Sequence, residues 1–139
     1  MCAPVADGQV EGYPASGTLD EVLGFELLEA TGERCVARCP VARRVQQPFG
    51  LVHGGTYAAL AETMASWATV IGVGPGGNIA MGQSNSTTFL RPVTNGHVHA
   101  EGTPRHRGRT TWVWDVEFTD DEGRVCAISR VTLAVRPAP

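Results

Sequence analysis

The sequence lacks the features that would place it in several large functional classes. It has no net positive charge: 11 basic and 14 acidic residues leave −3 over 139 residues, so the footprint of a general nucleic-acid binder is missing. It has no uncharged apolar run long enough to span a bilayer. The best stretch, 51–73, is interrupted by His53, Glu62, Gly54, Gly55 and Gly72. No basic segment precedes an apolar run near residue 1, so no secretory leader is expected. The four cysteines, Cys2, Cys35, Cys39 and Cys126, lack the Cys-x-x-Cys pairing of a zinc site. They are expected to be reduced, mostly buried thiols in a cytoplasmic protein.

What is present suggests one domain rich in turns, with 17 glycines and 9 prolines. Residues 1–18, rich in Gly, Pro and small side chains, are expected to form a flexible arm, and 19–139 a single domain. Two β-compatible runs, 21–30 and 34–41, flank the turn Thr31-Gly32. Residues 42–50 read as a loop. From Thr56 to Ile71 there is neither Gly nor Pro, and Ala and Leu are frequent, which predicts one long helix entered through Gly54-Gly55 and left at Gly72. The helix is apolar nearly all round, which predicts burial. Four further strand-like runs follow, at 79–90, 96–105, 109–119 and 124–135. In the third, Trp112, Trp114, Val116 and Phe118 alternate with Thr111, Val113, Asp115 and Glu117. The order β-β-α-β-β-β-β predicts an α+β fold in which a curved antiparallel sheet wraps one helix.

Charge is scarce where the helix lies. Between Arg44 and Arg91 the only formally charged residue is Glu62. A carboxylate among alanine, leucine and methionine is expected to be desolvated and shifted toward general-base work. At the helix entrance, His53-Gly54-Gly55 offers backbone N–H groups at the positive end of the helix dipole, with room for a ligand beside the glycines. Such donors suit the oxyanion of acyl transfer. Gly54 and Glu62 are about two turns apart, near 12 Å along the axis. One reacting carbon cannot meet both groups of the same chain, so joint action requires a second subunit. Elsewhere, Arg105-His106-Arg107-Gly108-Arg109 is the one basic concentration, readable as a phosphate site or a solvated turn. His97 and His99 share a strand face without an evident third metal ligand, and Trp112 and Trp114 suit either an acyl pocket or the core.

The run Gly50-Leu51-Val52-His53-Gly54-Gly55-Thr56-Tyr57-Ala58-Ala59-Leu60-Ala61-Glu62 resembles the helix of hotdog-fold acyl-CoA thioesterases. It is closest to the helix-glutamate 4-hydroxybenzoyl-CoA thioesterase subclass, and more broadly to phenylacetate-pathway thioesterases. The likeness continues through Gly82-Gln83-Ser84-Asn85, Phe89-Leu90-Arg91-Pro92-Val93, Gly96-His97-Val98, Thr110-Thr111-Trp112, Trp114-Asp115-Val116 and Ala134-Val135-Arg136-Pro137. The resemblance implies Glu62 as nucleophile or general base, Gly54 N–H as the group polarising the thioester carbonyl, and Gln47 as a side-chain amide near the thioester. Ser66 stands where the subclass has a threonine. His53, Gly55, Asn85, Arg91, Arg109 and Thr110 are implied on the substrate and CoA side. Arg109 departs from the small hydroxyl residue of that pattern, and Pro137-Ala138-Pro139 lacks the basic residues that help hold CoA in relatives.

The resemblance therefore implies hydrolysis of an acyl-CoA, with an aromatic acyl group preferred. No metal or separate cofactor is expected, coenzyme A being part of the substrate. A homodimer, further paired into a tetramer, is implied, with no nucleic-acid or membrane partner. Two other readings stand beside it. A hotdog hydratase or dehydratase would draw on His53 but leave Glu62 idle. A non-catalytic acyl-CoA binder would need Gly54 and the phosphate contacts but not Glu62.

Overall fold

The computed structural model describes residues 10–139. The elements in chain order are α1 (Leu19–Leu23), β1 (Glu26–Ala30), β2 (Cys35–Pro40), α2 (Gly54–Val73), β3 (Asn78–Phe89), β4 (His97–Arg107), β5 (Thr111–Thr119) and β6 (Val125–Pro137). The six strands form one antiparallel sheet in the order β1-β2-β4-β5-β6-β3. The sheet curves around α2. This is the hotdog architecture, and the expected α+β class holds.

The core is the interface between one face of α2 and the inner face of the sheet. Tyr57, Leu60, Ala61, Met64, Ala65 and Ala68 of α2 are buried. Opposite them, the alternation in β5 buries Trp112, Trp114, Val116 and Phe118. Alanine at three of the helix positions lets the helix approach the bulky strand residues closely. Trp114 is fully buried, and its indole N–H donates to Thr69 Oγ1 at 2.9 Å. The Thr69 hydroxyl in turn donates to Ala65 O at 2.7 Å. Both tryptophans thus belong to the core rather than to a ligand pocket.

Three expectations change. Residues 21–30 are not one strand, because the chain first makes the helical turn α1, with Asp20 and Glu21 in its acidic first turn and Gly24 closing it at φ 76°. The helix α2 is not buried all round: its second face, which carries Glu62, is open in the single chain. The arm expected over 1–18 is described only from Val10, residues 1–9 lying outside the described residues. From there it is seated on the domain. Val10 is 4% exposed and its N–H donates to Leu27 O at 2.7 Å, while the Tyr13 ring meets Trp67 edge-on at 5.3 Å.

Cys35, Cys39 and Cys126 are buried free thiols. Burial pushes Cys35 up to about 12 and Cys39 up to about 11, so both stay protonated at neutral pH. Cys2 lies outside the described residues.

Replacing Thr69 by valine keeps the volume but leaves the Trp114 indole N–H buried without an acceptor. The expected cost is about 1–3 kcal/mol in equilibrium denaturation. A variant as stable as the parent would show that this hydrogen bond does not hold the helix to the sheet.

Candidate active site

The second face of α2 is flanked by β3, the strand at one end of the sheet. Three approaches, in antiparallel order, define the strip. Phe89 stands against Gly54, with its Cζ 2.6 Å from where a Cβ on Gly54 would be. Asn85 Nδ2 donates to Ala58 O at 2.8 Å. Gly82 faces Glu62, whose Oε1 lies 2.9 Å from where a Cβ on Gly82 would be. The β3–β6 register slips between Gly82 and Ser84, a bulge at Gln83 beside the Glu62 carboxylate. Only β6 pairs with β3, so the other edge of β3 is open in the single chain.

At the helix entrance the donors are distributed unequally. His53 is the N-cap, and its Nδ1 accepts from Gly55 N–H at 2.8 Å. That fixes His53 as the Nε2–H tautomer while it caps. The Gly54 N–H has no acceptor among the described residues. The loop before the helix is tied to this end: His53 N–H and the Thr56 hydroxyl both donate to Val45 O, at 2.8 and 3.1 Å. Two residues on, Gln47 Oε1 accepts from Phe49 N–H, which leaves its NH2 group without a partner among the described residues.

Glu62 also borders a cavity of about 320 Å³ between α1 and α2. Its walls include Tyr13, Leu19, Trp67 and Val70, and its polar groups are Asp20, Glu62, Thr63 and Ser66. Asp20 accepts from the Thr63 hydroxyl at 2.8 Å and from the Tyr13 hydroxyl. Burial raises the Asp20 carboxyl above its ordinary range, against the opposing effect of the Thr63 hydrogen bond. The indole N–H of Trp67 is buried with no acceptor among the described residues.

The arrangement is a free helix-terminal N–H, a carboxylate with space in front of it and an adjoining apolar cavity, which together suit acyl transfer. The sequence model of the thioesterase superfamily matches residues 49–127, a span that covers α2, the residues just before it and most of the sheet. The chain belongs to the thioesterase superfamily.

Relatives agree. This thioesterase is 40% identical over 119 residues to the proofreading thioesterase EntH of Cronobacter turicensis, covering 86% of each chain. It is 44% identical over 118 residues to ComA2 of Bacillus subtilis, provisionally named an esterase, covering 85% of this chain and 94% of that one. A solved structure of thioesterase PA1618 from Pseudomonas aeruginosa, carrying a glutamine-to-alanine substitution, superimposes with a TM-score of 0.85 at 34% identity, covering 89% of both chains. The chain is thus a thioester hydrolase of the hotdog fold. No helix among its described residues is long and apolar enough to cross a membrane.

The residues picked out in the sequence separate into groups. Gln47, His53, Gly54 and Gly55 gather at the helix entrance, but the Gly55 N–H is used by the His53 cap. Glu62 and Ser66 line the cavity together. Glu62 is exposed rather than desolvated in the single chain, because the core-facing side of α2 is filled by alanines, Leu60 and Met64. Asn85, expected on the substrate, is held as a tie between β3 and α2, with its Oδ1 accepting from the Thr87 hydroxyl at 2.8 Å.

Arg91 is not brought together with Arg109 and Thr110. Arg91 N–H donates to Cys126 O near the start of β6, whereas Thr110 O accepts from Val135 N–H near its end. Nine residues of strand, about 30 Å, separate these anchors. The side chains of Arg91 and Arg109 have no ion-pair partner among the described residues. The neighbours of Arg109 do: Arg105 pairs with Asp115 at 3.3 Å and Arg107 with Glu33 at 3.9 Å, the Arg107 guanidinium also lying 5.2 Å from the Trp112 ring centre. His99 is engaged with Asp121 at 2.7 Å. Tyr13, Asp20, Thr63, Trp67 and Phe89 also belong to the neighbourhood of the candidate site; Phe89 falls in a motif that carries the family resemblance and Trp67 in the apolar helix, whereas nothing in the sequence pattern marks Tyr13, Asp20 or Thr63.

Gly82→Ala places a methyl where only the movable end of the Glu62 side chain can give way. Its backbone does not need glycine's left-handed conformation. The melting temperature is therefore expected to hold while kcat drops by roughly 10²-fold, the scale of an ångström-sized misplacement of a reacting group. Undiminished turnover would show that this position of Glu62 is not the reactive one.

Proposed function

We propose that this thioesterase hydrolyses acyl-CoA, with an aromatic acyl group preferred, at a site shared between two copies of the chain. The observation that carries this reading is the pairing of an unpartnered Gly54 N–H with a Glu62 carboxylate that stands too far along the same helix to serve the same carbon. The open edge of β3 and the open face of α2 give a second copy a place to bring the missing half, making a homodimer that can pair again into a tetramer.

In this reading the thioester carbonyl accepts from Gly54 N–H of one copy. Glu62 of the second copy either attacks the carbonyl carbon or takes a proton from a water that does. The carbon–sulfur bond breaks, CoA leaves as thiolate and takes up a proton, and the free acid is released. Where Glu62 is the nucleophile, water then hydrolyses the acyl-glutamate anhydride. Gln47, whose NH2 group is free at the helix entrance, orients the carbonyl or the water, and Ser66 lies one turn beyond Glu62 on the acyl side. The Tyr13 and Trp67 walls and the volume of the adjoining cavity support a flat aromatic acyl group. The free guanidinium groups of Arg91 and Arg109 suit phosphates, and their separation within one chain means that one CoA meets only one of them from a given copy. The name of the EntH relatives, proofreading thioesterase, agrees with hydrolysis rather than storage of a thioester.

A panel of benzoyl-, hydroxybenzoyl-, phenylacetyl-, short-chain and medium-chain acyl-CoA, followed by thiol release, tests the reading. Aromatic thioesters are expected to have the highest kcat/KM, and Glu62→Gln to lower kcat by roughly 10²- to 10⁴-fold with CoA affinity kept. A fully active Glu62→Gln variant would remove Glu62 from the chemistry, and a preference for medium chains would remove the aromatic assignment.

A further inference from the structure

Phe89 is a large apolar residue left 58% exposed at the end of β3, directly beside an unpartnered polar donor. Three of its ring atoms lie 2.6 to 3.0 Å from where a Cβ on Gly54 would be, so the ring occupies the flank of the helix entrance that only a glycine leaves open. Behind it, the Tyr57 ring lies 6.1 Å away, and Tyr57 is itself locked edge-on against the buried Phe118 at 5.3 Å. One side of the Phe89 ring is thus supported by the core, and the rest is exposed beside Gly54. Within the domain this exposure leaves a hydrophobic surface unspent.

We propose that Phe89 is a substrate-positioning residue: its exposed ring is an apolar wall beside Gly54, against which the thioester sulfur and its adjacent methylene lie. Resting on the thioesterase reading above, this gives the ring two effects. Contact between sulfur and the aromatic ring is favourable. With substrate seated against it, the ring keeps water on that side from competing for the Gly54 N–H, and a donor in a drier site stabilises developing oxyanion charge more strongly. Glycine at position 54 then has a specific reason: the ring stands where a side chain would be.

The test is a double-mutant cycle on the best thioester of the panel, with melting temperatures alongside. Phe89→Ala is expected to lower kcat/KM by roughly 10- to 100-fold at an unchanged melting temperature, and Phe89→Leu to recover part of the loss. Gly54→Ala keeps the N–H, so its loss of activity arises from displacing the ring. Added to Phe89→Ala, it should cost little more, a strong coupling between the two positions. Full activity of Phe89→Ala, or losses that multiply independently, would overturn the proposal while leaving the hydrolase reading intact. A parent protein that releases no thiol from any thioester would overturn both.

Discussion

Glu62 stands eight positions along the helix from Gly54, and a helix does not bend to bring the Gly54 amide and the Glu62 carboxylate together. Everything else in the candidate site is arranged around that fixed interval of about 12 Å. The amide is freed because His53 caps the next N–H along and leaves the first one open. The carboxylate is left accessible because Gly82 has no side chain to cover it. The strand that supplies Gly82 keeps its outer edge unpaired. A helix with one face in its own core and the other presented beside an open strand edge has the shape of half a site.

The same division explains the composition of α2. Its core side needs small residues, since Ala61, Ala65 and Ala68 lie against a sheet that contributes Trp114 and Phe118. Its other side carries Ala58, Glu62 and Ser66, which leave that face partly exposed. The apolar character along the whole helix therefore has two parts, residues packed into the core on one side and residues that border the open cavity on the other. The long carboxylate side chain is tolerated because it reaches space, not core.

The overall architecture was legible because it rests on periodicity. The alternation from Trp112 to Phe118, the Gly- and Pro-free helical run and the Gly-rich turns each have a direct geometric meaning, and, the start of β1 apart, the strand ends fall within two residues of those expected. Short-range capping overrode β propensity at α1, where Gly24 and two acidic residues stabilise a single helical turn inside a strand-like run. At the site, the entrance residues and Glu62 were readable because glycines and a lone charge are rare in such a helix. Asp20, Thr63, Tyr13 and Trp67 were not, because they meet only through tertiary packing between α1, α2 and the preceding segment. The distance between Arg91 and Arg109 was equally hidden, since it depends on strand register along β6.

The central claim is that Gly54 of one copy and Glu62 of another serve one thioester. The most direct measurement pairs two chains that are each inactive alone. Glu62→Gln removes the carboxylate. Gly54→Pro removes the N–H at the first helical position, where proline suits the helix backbone, and its ring displaces Phe89 of the same copy only, leaving the complementary site intact; His53 before it already has the extended backbone that a following proline needs. Co-expressed with different tags and purified as mixed dimers, they are predicted to recover about half the parent rate per dimer, one intact site of the two that twofold symmetry creates. Mixed dimers as inactive as either parent would contradict the shared site.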